Sequence, residues 1–169
     1  MAKILVYNND SNRMETFYRG ESEAMPYNTN GTLRVREFRG SSRSNTLWTT
    51  RNTMRAWNST RYIYGSGIPV GFAFKRTWEG GHSGQSQHYA GVAFDVGQTL
   101  SNTQRNRIRN AAINSGAWTY IEPASLTPTW VGVLLENDKI AYVQKLHISR
   151  VTILSYKVTC VTSQLIIIN

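Results

Sequence analysis

His88 and Asp95 lie seven residues apart in the run Ser86-Gln-His-Tyr-Ala-Gly-Val-Ala-Phe-Asp95. An imidazole nitrogen and a carboxylate oxygen are both donors that suit a divalent cation such as zinc. Gly91 allows a tight turn just after His88. Beyond it Val92, Phe94 and Val96 alternate with Ala93 and Asp95, so the strand pattern turns Asp95 away from the large apolar face. A carboxylate on so apolar a strand needs a partner, because burying an unpaired charge is costly. That partner is either a metal shared with His88 or an arginine, with His88 then an ordinary loop histidine.

The elements that must position this pair are legible in outline. Ile4–Tyr7 reads as a strand followed by a polar segment to residue 32, and Leu33–Phe38 as a second strand. Thr49 or Thr50 caps a helix that runs to about Tyr62, with Met54 and Trp57 inward and Gly65 and Gly67 ending it. Pro69–Lys75 alternates as a half-buried strand. The long loop 77–89 contains Glu79-Gly-Gly-His82 and forms a lip beside the His88 motif. His82 is therefore the candidate for a substitute ligand or a substrate contact, if it is not simply exposed. Ser101 caps a helix to about Ser115 that packs through Ile108, Ala111, Ala112 and Ile113 and keeps Arg105, Arg107 and Arg109 on its more exposed sides. Ala117–Glu122 reads as a strand with Trp118, Tyr120 and Glu122 on one face. Apolar surroundings there would raise the Glu122 pKa, which suits a general base; an edge-strand glutamate in water is the alternative. Thr129–Leu135 is the last strand. The order predicts an α+β fold, a small mostly antiparallel sheet with helices packed on one face.

The run Ser-x-His-x-x-Gly-x-Ala-x-Asp resembles the motif of the zinc D-Ala-D-Ala carboxypeptidases of bacterial cell walls, whose metal site the Hedgehog signalling domain shares. Trp118-Thr-Tyr-Ile-Glu122-Pro and Thr127-Pro-Thr-Trp130-Val131 are similar to the next two elements of that family. The resemblance spans roughly residues 40–131. It implies a Hedgehog/peptidase-like fold, zinc as cofactor, His88 and Asp95 as metal ligands and Glu122 as general base. It also implies Arg76 as the clamp for a substrate carboxylate. The substrate it implies is a peptidoglycan stem peptide, cut by a cell-wall or phage lytic enzyme. After Trp130-Val131 the family has a third ligand, a histidine; here Gly132 stands in its place. A catalytic zinc normally takes three protein ligands and a water, so the change predicts a large loss of metal affinity unless His82 or His147 replaces the missing ligand.

The chain changes character at the same point. All 13 Gly, 4 Pro, 5 Trp and 5 Phe lie at or before residue 132. The remainder is rich in Ile, Val, Leu, Thr, Ser and Lys. Residues 1–131 therefore read as a metallopeptidase-like domain and 132–169 as an atypical tail, either extra strands or a product of a shifted reading frame.

Length suits one domain. No apolar run is long enough for a transmembrane helix, and the first ten residues are too short in apolar content for a secretory signal. Action at the cell wall would then follow another exit route, such as lysis. The single Cys160 forms no intrachain disulfide and belongs to no zinc-finger cluster. The net charge of +9 favours an anionic partner, whether wall polymer or nucleic acid. Arg34, Arg36, Arg39, Arg43, Arg51, Arg55 and Arg61, interleaved with Trp48, Trp57 and Tyr62, form either a solvated basic surface or a binding stripe. Three readings follow: a zinc peptidase acting on stem peptides, impaired at the metal; an inactive wall-binding module; and a basic nucleic-acid-binding protein. A monomer is expected.

Overall fold

A computed structural model describes residues 1–76, 79 and 86–135 of the chain. The tail beyond Leu135, with His147 and Cys160, and His82 in the lip lie outside the described residues.

The class is α+β, but with two small sheets where one is expected. The first orders its strands β2-β1-β3. β1 (Ala2–Asn8) pairs antiparallel with β2 (Arg13–Arg19) and parallel with β3 (Thr46–Thr50). The second orders four antiparallel strands β4-β5-β7-β6: β4 (Val70–Phe72), β5 (Ala93–Val96), β7 (Val131–Leu134) and β6 (Tyr120–Ile121). Among the described residues three helices accompany them: α1 (Val35–Arg39), α2 (Arg51–Tyr64) and α3 (Asn102–Ser115). A single apolar cluster joins both sheets. Ile4, Val6 and Leu47 come from the first sheet, Phe94, Val96, Val131 and Val133 from the second, and Met54, Trp57 and Ile108 from the helices between. At its centre Phe94 stacks on Trp57 at 5.0 Å between ring centres and meets Trp118 edge-on at 5.9 Å. Among the described residues no helix is long and apolar enough to cross a membrane.

The helix caps follow the residue chemistry. The Thr50 hydroxyl accepts from the Thr53 N–H at 2.9 Å, and Ser101 with Gln104 forms a reciprocal capping box. Gly65 and Gly116 end α2 and α3 in the left-handed conformation that glycine adopts without strain.

Four element readings are corrected. Leu33–Phe38 is not a strand: Val35 and Phe38 are both buried at helical spacing, and the Glu37 carboxylate accepts from the Arg34 N–H at 2.6 Å. Arg13–Arg19, inside the segment read as polar, is an edge strand of alternating exposure. The strand around Glu122 is only two residues long, so Trp118 turns into the core and Tyr120 outward instead of sharing the Glu122 face. On α3, Ile113 is 60 % exposed, whereas Arg105 and Arg109 are buried. Arg107 lies outward, its guanidinium 5.5 Å from the Tyr64 ring centre.

Candidate functional site

Directly opposed residues of an antiparallel sheet project to the same face. Phe72 faces Asp95, and Asp95 faces Gly132. Glu122 follows β6, and its N–H donates to the Gly132 carbonyl at 2.9 Å. One row across the four-stranded sheet therefore reads Phe72, Asp95, Gly132, Glu122. Phe94 and Val96, the neighbours of Asp95 on β5, point to the opposite, core side, where both are buried. The alternation that sequence alone assigns to β5 is what the structure shows.

His88 reaches this row from outside the sheet. It sits in the 3-10 turn Gln87–Ala90, which Gly91 closes with φ of 64°. A side chain at residue 91 would also meet the Trp48 carbonyl oxygen 2.0 Å from its Cβ, so glycine is required twice over at that position. The turn places His88 Nε2 3.2 Å from Asp95 Oδ2. On the other side of the ring Nδ1 lies 3.2 Å from the Ala73 carbonyl oxygen, and the Phe72 ring packs against it edge-on at 4.9 Å.

This geometry fixes the chemistry of the pair. A carbonyl oxygen only accepts, so Nδ1 carries the hydrogen. In a neutral imidazole Nε2 then presents a lone pair directly to the lone pairs of Asp95. That arrangement needs a proton or a cation between the two atoms. Two ligands of a tetrahedral zinc at about 2.0–2.1 Å lie about 3.3 Å apart, and a backbone carbonyl behind the ring is a common support for a metal-bound histidine. The pair therefore fits two corners of a zinc site. A third corner is missing: among the described residues no group of three or more His, Cys, Asp or Glu is gathered so as to hold a metal ion.

Gly132 shows why. A Cβ built there would lie 2.1 Å from Glu122 Oε2 and 2.5 Å from Glu122 Cδ. The carboxylate of Glu122 thus occupies the space through which a side chain at residue 132 would leave the strand. Burial, then the nearby charge of Asp95, pushes the Glu122 pKa up; His88, Trp130 and Arg109 oppose that shift. His88, Asp95, Glu122, Trp130 and Gln87 line a cavity of about 230 Å³ with Gly132 in its wall.

The segment between β6 and β7 carries both Glu122 and Trp130, and a buried arginine holds it. Arg109 Nη2 donates to the carbonyls of Thr127 and Trp130, each at 2.5 Å, and Nε donates to the Glu122 carbonyl at 3.4 Å. Sequence reading missed Arg109 by placing it outward. The signal was present: Arg105, Ile108, Arg109 and Ala112 recur at helical spacing and form one buried stripe of α3.

Arg76 is not among the residues of that cavity. It lines a second one of about 430 Å³ with Ser41, Arg43, Lys75 and Glu79. There its Nε donates to Glu79 Oε1 at 3.0 Å. Burial pushes the Glu79 pKa up, but hydrogen bonds from the Ser42 hydroxyl, the Arg76 and Arg43 N–H groups and the Arg76 guanidinium outweigh it and lower the value to about 2. Of the basic stripe, Arg39 pairs with Glu21, and Arg51 and Arg55 pair with Asp10. Trp57 is buried and Tyr62 is 80 % exposed.

No family model matches the chain, and no curated protein and no solved structure matches it.

Proposed function

We propose that the chain is a zinc-dependent peptidase of the D-Ala-D-Ala carboxypeptidase type, acting on peptidoglycan stem peptides with activity limited by Gly132. The observation that carries this reading is the His88–Asp95 contact: a donor pair at zinc-ligand separation, with the imidazole oriented from behind by the Ala73 carbonyl and Glu122 beside it. Zinc, when bound, supplies a water of lowered pKa and polarises the scissile carbonyl. His88 and Asp95 would hold it. Glu122 takes up a proton readily, because burial and Asp95 both disfavour its charged form; a base of raised pKa also returns that proton to the leaving amine. The resemblance implies Arg76 as the clamp for a substrate carboxylate, but Arg76 lines the other cavity and is engaged by Glu79, so the clamp is not part of this proposal.

Gly132 also favours a second reading, a wall-binding module that holds the stem peptide without cutting it. Zinc titration under chelator competition, with peptidoglycan-fragment cleavage followed by mass spectrometry, separates the two. The native chain should bind zinc weakly, and Asp95→Ala should abolish that binding. Gly132→His, which must first turn the Glu122 carboxylate out of the space beside residue 132, should raise zinc affinity and, if Glu122 still reaches the cavity, cleavage with it. Equal zinc affinity in D95A would overturn the metal assignment. Restored zinc binding in G132H without any cleavage would favour the binding module.

A further inference from the structure

Tyr62, one of the aromatics within the basic stripe, stands in water in the last turn of α2, 80 % exposed, with Ile63 beside it at 44 %. Apolar surface held out of the core asks what it meets. Tyr62 borders a shallow cavity of about 430 Å³ at the C-terminal ends of α2 and α3, which Asn30, Asn58, Ser59, Asn114 and Ser115 also line. Among the described residues none that lines it is charged, although the chain carries a net charge of +9. The arginines one and two turns back on α2 do not reach in, because Arg51 and Arg55 both turn to Asp10.

Two of the lining residues build the frame. Asn58 Oδ1 accepts from Asn28 Nδ2 at 2.7 Å, and Asn58 Nδ2 donates to the Tyr27 carbonyl at 2.9 Å, which pins the turn carrying Asn30 to α2. The Ser115 hydroxyl donates to the Ala112 carbonyl at 2.6 Å and accepts from the Ala117 N–H at 3.3 Å. Around that frame Asn30, Ser59, Tyr62 and Asn114 are exposed. Carboxamides and hydroxyls both donate and accept, and so do the hydroxyls of a sugar. A neutral lining offers no counter-charge to a phosphate or a carboxylate, so an aromatic here is not placed as it would be to stack the bases of a polyanion. The Tyr62 ring and Ile63 supply apolar surface for the C–H face of a pyranose, and the phenol keeps one polar edge. We infer that this cavity is a site for a neutral saccharide, with Tyr62 as the stacking surface and the Asn30 and Asn114 carboxamides as partners of the sugar hydroxyls. The site is independent of the metal pair, since His88, Asp95 and Glu122 line a different cavity.

The test titrates ¹⁵N-labelled full-length protein with two neutral probes, chitotetraose and cellotetraose, and follows the side-chain amide resonances of Asn30 and Asn114. At least one probe should shift both pairs of resonances and saturate. Tyr62→Ala should weaken that binding about tenfold, whereas Tyr62→Phe, which keeps the ring, should stay within about twofold of the native affinity. Tyr62 is exposed, so both variants should melt with the native protein. Asp95→Ala should bind the same probe with unchanged affinity. No saturating shift with either probe, or equal affinity in Y62A, would overturn the inference. A loss of sugar binding in D95A would overturn it too, by placing the sugar in the other cavity, and so would a single-stranded DNA oligonucleotide that displaces the sugar from the same amides.

Discussion

The row Phe72, Asp95, Gly132, Glu122 crosses the candidate site at four positions of the sheet, one of them without a side chain. The vacancy is not idle space, because the Glu122 carboxylate leans across it. Gly132 is not one of the glycines with positive φ, so a Cβ there meets a steric obstacle and no backbone penalty. The conflict reaches beyond the carboxylate tip, since Glu122 Cγ would lie 3.0 Å away as well. Gly132→Ala should therefore destabilise the fold by about 1–3 kcal/mol, the usual range for overpacking. In a Glu122→Ala background the same change should cost almost nothing. Urea unfolding of the four proteins measures the coupling directly, and an equal cost in both backgrounds would show that Glu122 does not fill the vacancy. The His88–Asp95 pair was readable in the sequence, because spacing, a turn glycine and period-two alternation are local properties. The crossing of Glu122 over Gly132 was not, because it depends on lateral register between β6 and β7, which neither segment encodes alone.

At the scale of elements, ionised groups clip loops to the sheets that carry the candidate site. Glu79 is the clearest case. Its side chain is 12 % exposed and joins Ser42 and the Arg43 N–H to Arg76. Its pKa falls from 4.5 to about 2 on folding. A depressed carboxylate contributes stability that is present above its unfolded value and lost as pH falls through its folded one. Glu79→Gln should thus cost about 2 kcal/mol at neutral pH, discounted for residual solvent screening. Melting temperatures of the two proteins should converge as pH drops from about 4.5 towards 2. A gap that persists unchanged at pH 2 would assign the effect to shape and not to charge. Glu122 has the opposite sign, since its raised pKa weakens the fold as pH rises through it. Caps were the most legible elements, because Thr50, Ser101, Gly65 and Gly116 act on their own backbone. Arg13–Arg19 escaped detection because an edge strand open to water has few apolar residues to mark it. Arg109 escaped because charge was taken to mean exposure, while its helical spacing with Ile108 and Ala112 pointed inward.

At the scale of the whole molecule the composition boundary at residue 132 and the structural boundary do not coincide. β7 runs through it: Gly132, Val133 and Leu134 pair with Asp95, Phe94 and Ala93. Val131 and Val133 are buried in the common cluster, and the Leu135 N–H donates to the Val92 carbonyl at 3.0 Å. β7 lies between β5 and β6, so its removal would separate them and strip Glu122 of the Gly132 carbonyl that fixes its backbone. A protein ending at Trp130 should therefore lose cooperative thermal unfolding. One ending at Leu135 retains every described element and should melt in a single transition, as one apolar cluster spanning both sheets requires. Circular dichroism during heating distinguishes them. If the shorter protein melts as sharply and at the same temperature, β7 is dispensable and the candidate site has no fixed fourth wall. If only the longer one does, the first residues past the composition change belong to the fold that builds the site, whatever the origin of the sequence that follows.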